Sequence, residues 1–128
     1  MILNNKTKIF LAIASFMMAL AIAIGAFGAH GLKSILDEHM LNIYNTGVQY
    51  HFYNTLGLFA ASIIYSLKPE SKKIYMSLWL IIIGMSIFSF SLYFLAILSM
   101  PILGAITPIG GTLLIIAWLS LAYGILKD

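Results

Sequence analysis

The chain has 128 residues, of which 62% are hydrophobic and 9% are charged, whereas a soluble domain carries about 25% charged residues. A chain this short buries too little surface to hide so many apolar side chains, so an ordinary soluble domain is excluded and one all-α transmembrane domain over residues 1–128 is predicted. The absence of cysteine excludes disulfides and thiolate chemistry, and the net charge of +3 resides on lysines in loops rather than in a nucleic-acid-binding patch.

The first predicted span covers about residues 9–29, a run without charged residues that reaches the length of about 20 residues needed to cross a bilayer. Its basic start and the small residues near Ala26 also resemble a signal peptide, but the run exceeds the roughly 7–15 apolar residues of such a peptide. The span ends in the stretch 25–31, whose small residues allow close approach of another backbone. Within this stretch we expect His30 to act as a hydrogen-bonding hinge.

The segment at about residues 32–44 has apolar residues at helical spacing and polar residues opposite. This pattern predicts an amphipathic helix on the outer membrane surface, between the first two spans. The second predicted span, at about residues 46–67, is polar in its first half and nearly all apolar from Leu58 to Ile64. Pro69 in the following loop ends this helix.

The third predicted span covers about residues 74–98 and the fourth about residues 107–126. In the fourth, Thr107 suits the N-cap and Pro108 suits the first helical position. Small residues recur at every seventh position in both spans, which predicts close packing of the two helices along one seam. The predicted packing residues, including two glycines from the first span, are Gly25, Gly28, Ser77, Gly84, Ser91, Gly110, Ala117 and Gly124.

Lysine positions predict the orientation of this four-helix bundle, because cytoplasmic loops of membrane proteins are enriched in basic residues. When successive segments alternate sides, only Lys33 falls on one side and all other lysines fall on the opposite side. Both termini and the loop at residues 68–73 are therefore predicted to be cytoplasmic. The predicted location is the cell membrane of a bacterium, with multiple spans.

This topology brings polar side chains together at the outer leaflet, where they form a candidate outer polar cluster. Polar groups inside a membrane are costly unless they are paired or hydrated. They therefore either hydrogen-bond one another and join the helices, or line a small cavity that opens to the outside. The members of this cluster are His30, Gln49, Tyr50, His51, Tyr53, Asn54, Ser91, Tyr93 and Thr107.

The sequence offers no convincing catalytic or metal-binding constellation. The three histidines are irregularly spaced and no cysteine accompanies them, so no metal site is predicted. No acidic residue lies within a predicted span, which disfavours both a Ser-His-Asp hydrolase built on Ser89 or Ser91 and a proton carrier with an intramembrane carboxylate. Neither a Walker loop, a dinucleotide fingerprint nor a haem-attachment motif occurs, so no cofactor is expected.

Several stretches resemble, in the same order, the small bacterial membrane proteins grouped as domain of unknown function 423. This family has a eukaryotic relative, transmembrane protein 256. The resemblance implies a four-helix membrane protein and adds no established activity. The stretches that carry it are Gly25–Leu32, Thr46–Tyr53, Phe88–Tyr93 and Leu103–Gly111, followed by Trp118.

The chain departs from the pattern of this family at a few positions. The family tends to have glutamine where His51 lies and histidine where Asn54 lies, which weakens the case for any one essential histidine in the second span. It also has glycine where Phe90 lies, so a large ring occupies a position where a close contact is expected.

Together these observations favour a non-enzymatic membrane protein that acts as an accessory or envelope-associated factor. Its expected partners are the lipid bilayer and either a second copy of the chain or another membrane protein, with no nucleic acid. The alternative is a carrier or binding protein for a small solute or lipid that uses the outer polar cluster. An enzyme ranks below both, because the acid–base groups are too few.

Overall fold

A computed structural model describes residues 3–127, which form four long α-helices joined by short turns, with no strand in that range. The predicted all-helical class is confirmed. The first helix continues into a short π-helical turn before the chain reverses. The elements are α1 (Asn5–Phe27), the π-helical turn (Gly28–Leu32), α2 (Glu38–Leu67), α3 (Lys72–Leu98) and α4 (Leu103–Lys127).

The N-terminal cap of α2 corrects the prediction of an amphipathic helix over about residues 32–44. Asp37 Oδ1 accepts a hydrogen bond from the Met40 backbone N–H at 2.8 Å, which starts a new helix that runs unbroken through the second predicted span. Residues 33–36 form a turn instead. The prediction is wrong because the apolar residues of this segment do not belong to one helix. Leu32 of the π-helical turn and Tyr44 of α2 lie in the same buried apolar cluster at this end of the bundle.

Helix α4 begins at Leu103, four residues before the predicted N-cap Thr107, so this prediction is also wrong. Ser99 adopts a left-handed backbone conformation with φ of 52° and ends α3. Pro101 then lies in the turn that leads into α4, where its missing N–H costs no helical hydrogen bond. Pro108 lies inside the helix.

Consecutive helices run antiparallel, as contacts near both ends show. The start of α1 meets the end of α2 through Phe10 and Tyr65, whose ring centroids are 6.5 Å apart. At the other end, the Tyr44 hydroxyl of α2 donates a hydrogen bond to the Ile24 carbonyl of α1. Helix α3 packs against α2 and, most extensively, against α4. Because α4 packs mainly on α3, a groove remains between α2 and α4.

The contact between α3 and α4 includes the predicted packing residues Gly84, Ser91, Gly110 and Gly124. Gly84 and Gly110 lie face to face, and a Cβ atom on Gly110 would overlap the backbone of Phe88 and stand 2.8 Å from the Gly84 carbonyl oxygen. The helices approach this closely only because both positions lack a side chain. Further buried small residues on the same two helices are Ser77, Ala117 and Gly124.

Three helical segments of the described chain are long and apolar enough to cross a membrane, namely α1 with its π-helical turn, α3 and α4. Helix α2 has 30 residues, which is also sufficient in length. Its middle carries Gln49, Tyr50, His51, Tyr53 and Asn54 of the predicted polar cluster, and these side chains lower its hydropathy. The difference between α2 and its neighbours therefore lies in polarity and not in length.

Candidate functional site: paired polar groups and a groove between α2 and α4

The centre of the predicted polar cluster is a hydrogen bond between α2 and α3. His51 Nδ1 lies 2.8 Å from the Tyr93 hydroxyl, and both side chains are buried. The His51 ring also packs edge-on against Phe90, with the ring centroids 5.8 Å apart. Nearby, Ser89 Oγ donates to the Gly47 carbonyl at 2.7 Å. These polar contacts join the two helices in otherwise apolar surroundings.

The second ring nitrogen of His51, Nε2, is buried and has no hydrogen-bond partner among the described residues. A neutral imidazole has one donor nitrogen and one acceptor nitrogen. Because only Nδ1 has a partner among the described residues, Nε2 stays unpaired in either tautomer. The Tyr93 hydroxyl is therefore the side-chain contact that compensates for burial of this ring.

Ser91 and Thr107 form a second polar pair, between α3 and α4. Their hydroxyl oxygens are 2.6 Å apart. Ser91 Oγ also lies 2.8 Å from the Phe88 carbonyl, and Thr107 Oγ1 lies 3.1 Å from the Leu103 carbonyl. Two hydroxyl protons are available for these three contacts. One hydroxyl therefore donates to the other, and the second donates to a backbone carbonyl of its own helix. Both side chains are thus used in a helix–helix contact.

Asn54 connects α2 to α4. Trp118 Nε1 donates to Asn54 Oδ1 at 3.0 Å, and Asn54 Nδ2 donates to the Tyr50 carbonyl at 2.9 Å. The Trp118 ring lies against Gly57, where a Cβ atom would overlap it. Trp118 is absent from the predicted cluster, although a single indole donor within an apolar span is a signal that a polar partner lies opposite.

The remaining members of the predicted cluster do not join these buried pairs. His30, Gln49, Tyr50 and Tyr53 are all exposed. The rings of Tyr50 and Tyr53 contact each other with centroids 5.9 Å apart. The structure therefore divides the predicted cluster into buried, paired side chains and an exposed set on α2 and the π-helical turn. The buried side chains are His51, Asn54, Ser91 and Tyr93, and Thr107 is partially buried.

The glycine-rich end of α1 brings this helix against the start of α2. Gly28 lies against the Tyr44 ring, where a Cβ atom would overlap it, and Gly25 lies against Val48. Tyr44 is almost fully buried and supplies the hydrogen bond to α1 described above. Within the described residues, the hydrogen-bonding group at this bend is therefore Tyr44, whereas the predicted hinge residue His30 is exposed.

The groove between α2 and α4 has a volume of about 700 Å³. Its lining is mainly apolar and aromatic and includes no charged residue. Ligand sites have volumes of about 300–1,000 Å³ and are lined by apolar and aromatic side chains with a few polar groups. The groove therefore has the size and lining of a small-molecule site. Residues that form it include Tyr50, Tyr53, Asn54, Phe88, Ile115 and Trp118.

A metal centre is not apparent in the part of the chain that the structure describes. Within residues 3–127, no group of three or more histidine, cysteine, aspartate or glutamate side chains is placed to hold a metal ion.

Comparison with known proteins places the chain among bacterial membrane proteins. The UPF0382 membrane protein YwdK of Bacillus subtilis (strain 168) is 38% identical over 120 residues, which cover 94% of this chain and 98% of the relative. The UPF0382 membrane protein SERP0230 of Staphylococcus epidermidis is 41% identical over 120 residues, covering 94% and 97% of the two chains. A UPF0382 membrane protein of Haemophilus influenzae is 39% identical over 126 residues, covering 98% of both.

No solved structure matches the chain. Residues 24–111 match the family described as "Protein of unknown function (DUF423)", and this segment contains the glycine-rich bend, the His51–Tyr93 bond and the Ser91–Thr107 pair. The family resemblance predicted from the sequence motifs is confirmed, and the chain is a membrane protein that belongs to the DUF423 family.

Proposed function

We propose that this protein is a non-enzymatic integral membrane protein of the cell membrane that acts as an accessory or envelope-associated factor. The observation that carries the proposal is that members of the predicted polar cluster, together with Trp118, form hydrogen bonds between helices. Side chains whose hydrogen-bonding capacity is used between helices stabilise the bundle and are not poised for chemistry on a substrate. The pairs are His51 with Tyr93, Ser91 with Thr107, and Asn54 with Trp118.

The proposed topology has four membrane spans, including α2. Helix α2 packs against α1 on one side and α3 on the other and runs antiparallel to both. If α1 and α3 cross the bilayer, α2 traverses the same thickness. Because His51 and Asn54 of α2 are buried, the protein rather than lipid surrounds these polar side chains, which makes a polar span tolerable.

The proposed orientation places both termini in the cytoplasm. All lysines except Lys33 lie at the end of the bundle that holds the two termini and the α2–α3 turn. Lys68 Nζ reaches the Ile125 carbonyl at 3.0 Å, which joins this turn to the end of α4. The concentration of positive charge at one end supports a cytoplasmic position for that end.

Labelling of introduced cysteines tests this topology, because the natural chain has no cysteine to interfere. In intact cells, a membrane-impermeant maleimide should label Ser34→Cys, in the exposed turn before α2. The matched variant Glu70→Cys, in the exposed α2–α3 turn, should react only after the cells are permeabilised. Labelling of both variants in intact cells, or of Glu70→Cys alone, would contradict the proposed topology.

Photo-crosslinking in native membranes tests the accessory role. Phe16 on α1 is 66% exposed, whereas Phe10 on the same helix is 2% exposed. A photoreactive phenylalanine analogue at position 16 should give an adduct of defined mass, with a second copy or with another membrane protein, and the same analogue at position 10 should not. A protein that stays monomeric and unattached with the analogue at Phe16 and at exposed Ile116 of α4 would count against an accessory role.

The groove between α2 and α4 favours a second candidate function, that of a carrier or binding protein for a small solute or lipid. The predicted polar cluster does not line this groove as a whole. Three of its members, Tyr50, Tyr53 and Asn54, do border it, together with apolar and aromatic side chains of α3 and α4. A mainly apolar groove with a few polar groups along one wall fits an amphiphilic ligand.

A further inference from the structure

We propose that the groove between α2 and α4 binds one acyl chain of a glycerolipid that carries no net charge. This inference rests on the second candidate function, because it names the ligand of that groove. The length, lining and charge of the groove favour a membrane lipid over a soluble molecule or a protein helix.

The length of the groove matches the depth of one lipid leaflet. Its wall on α4 extends from Pro108 to Leu119, and eleven helical steps at about 1.5 Å each give a length of about 17 Å. The hydrocarbon core of a bilayer is about 30 Å thick, so one leaflet contributes roughly half of that. An acyl chain in the groove would therefore lie fully extended within one leaflet.

The two ends of the groove differ in chemistry. At the deep end, Trp118 is held against Gly57 and bonds Asn54, so an aromatic wall meets the end of the chain near the middle of α4. The other end of the groove, at Pro108, points toward the end of the bundle where α2 and α4 begin. Tyr50 and Tyr53 border the groove from α2, where they lie within about one helical turn of Asn54, the partner of Trp118.

The lining between these ends suits a hydrocarbon chain. The Phe88 ring of α3 lines the groove between α2 and α4. Leu114 and Ile115 of α4 add aliphatic surface to it. No lysine, aspartate or glutamate lines the groove, so a charged group inside it would have no counter-ion and would be strongly disfavoured.

The charge distribution of the bundle selects the headgroup. At the end of the bundle where α2 and α4 begin, the described residues carry Lys33 against Asp37 and Glu38, so this end provides no net positive potential. The other lysines lie at the opposite end. An anionic headgroup therefore gains no electrostatic attraction beside the open end of the groove, and a zwitterionic or neutral headgroup is preferred.

A photoreactive lipid tests the proposal directly. We would reconstitute the full chain in vesicles that contain a phosphatidylethanolamine with a diazirine near the terminal methyl of one acyl chain. Upon irradiation, adducts should map to groove residues near Trp118 rather than evenly over the lipid-facing surface.

Two matched variants on neighbouring positions of α4 separate the groove from the general lipid surface. Ile115 lines the groove and is 64% exposed, whereas Ile116 lies on another flank and is 44% exposed. Ile115→Trp should fill the groove and reduce labelling at least about five-fold, and Ile116→Trp should label like the natural chain. Circular dichroism would show that both variants keep their helices, since both positions face lipid.

Each result of this experiment bears on a different statement. Equal labelling of the two variants, or adducts spread evenly over the exposed helix faces, would overturn the lipid site together with the second candidate function, while the accessory role would stand on its own crosslinks. Stronger labelling of the groove by the matching phosphatidylglycerol probe would overturn the proposed lipid class and leave a binding function at the groove intact.

Discussion

Gly110→Ala is expected to destabilise the bundle by about 1–3 kcal/mol, because overpacking of a tight contact costs energy of this order. The new Cβ atom would overlap the backbone of Phe88, and a backbone, unlike a flexible side chain, cannot move aside without separating α3 from α4. The gain in helix propensity from glycine to alanine, about 1 kcal/mol, offsets only part of this cost.

Gly111→Ala is the matched control for this substitution, because it makes the same chemical change one residue later. A Cβ atom at Gly111 would stand 3.6 Å from the Phe88 ring, which is an ordinary van der Waals contact. Its stability should therefore be unchanged or slightly raised by the better helix propensity. Unfolding by sodium dodecyl sulfate, followed by circular dichroism, measures both; equal losses of stability would contradict the close α3–α4 contact.

Tyr93→Phe is expected to lower the free energy of unfolding by about 1–3 kcal/mol, the cost of an unpaired buried polar group. The substitution keeps the ring and removes the hydroxyl that lies 2.8 Å from His51 Nδ1. Because His51 Nε2 already lacks a partner among the described residues, both ring nitrogens would then be buried without a hydrogen bond.

A double substitution separates the hydrogen bond from general packing. In His51→Leu/Tyr93→Phe both partners become apolar, and removing both partners of a buried bond is less costly than removing one. The double variant should therefore lose less stability than the sum of the two single variants, measured by the same detergent titration. Tyr53→Phe, at a ring that is 61% exposed, should have no effect. Strict additivity of the two substitutions would show that the His51–Tyr93 bond carries no coupling energy.

The extent to which local sequence predicts this fold differs between its elements. Small residues at every seventh position of α3 and α4 indicated their contact, and the structure places Gly84 opposite Gly110. The same periodicity argument failed at about residues 32–44, where apolar residues at helical spacing come from a turn and from the start of α2. A periodic pattern shows which residues share a direction, but the cap at Asp37 decides where one helix stops and the next begins.

The candidate site shows a similar division. Topology alone predicted that polar residues of α2, α3 and α4 lie at the same depth, and Ser91 does meet Thr107 there. Topology could not predict which face of α2 turns inwards. His51 and Asn54 are buried whereas Gln49 and Tyr50 are exposed, because rotation of α2 about its axis is set by its contacts with both neighbouring helices.

The sequence by itself determined the membrane class, the all-helical architecture and the family, because these follow from composition, from the length of apolar runs and from motifs that need no partner. Only the tertiary structure decided which polar side chains pair and that a groove remains between α2 and α4. The physical reason is that hydropathy adds up residue by residue along the chain. A hydrogen bond such as that between Trp118 and Asn54, 64 residues apart, depends on the distance and rotation of two helices, which are properties of their packing.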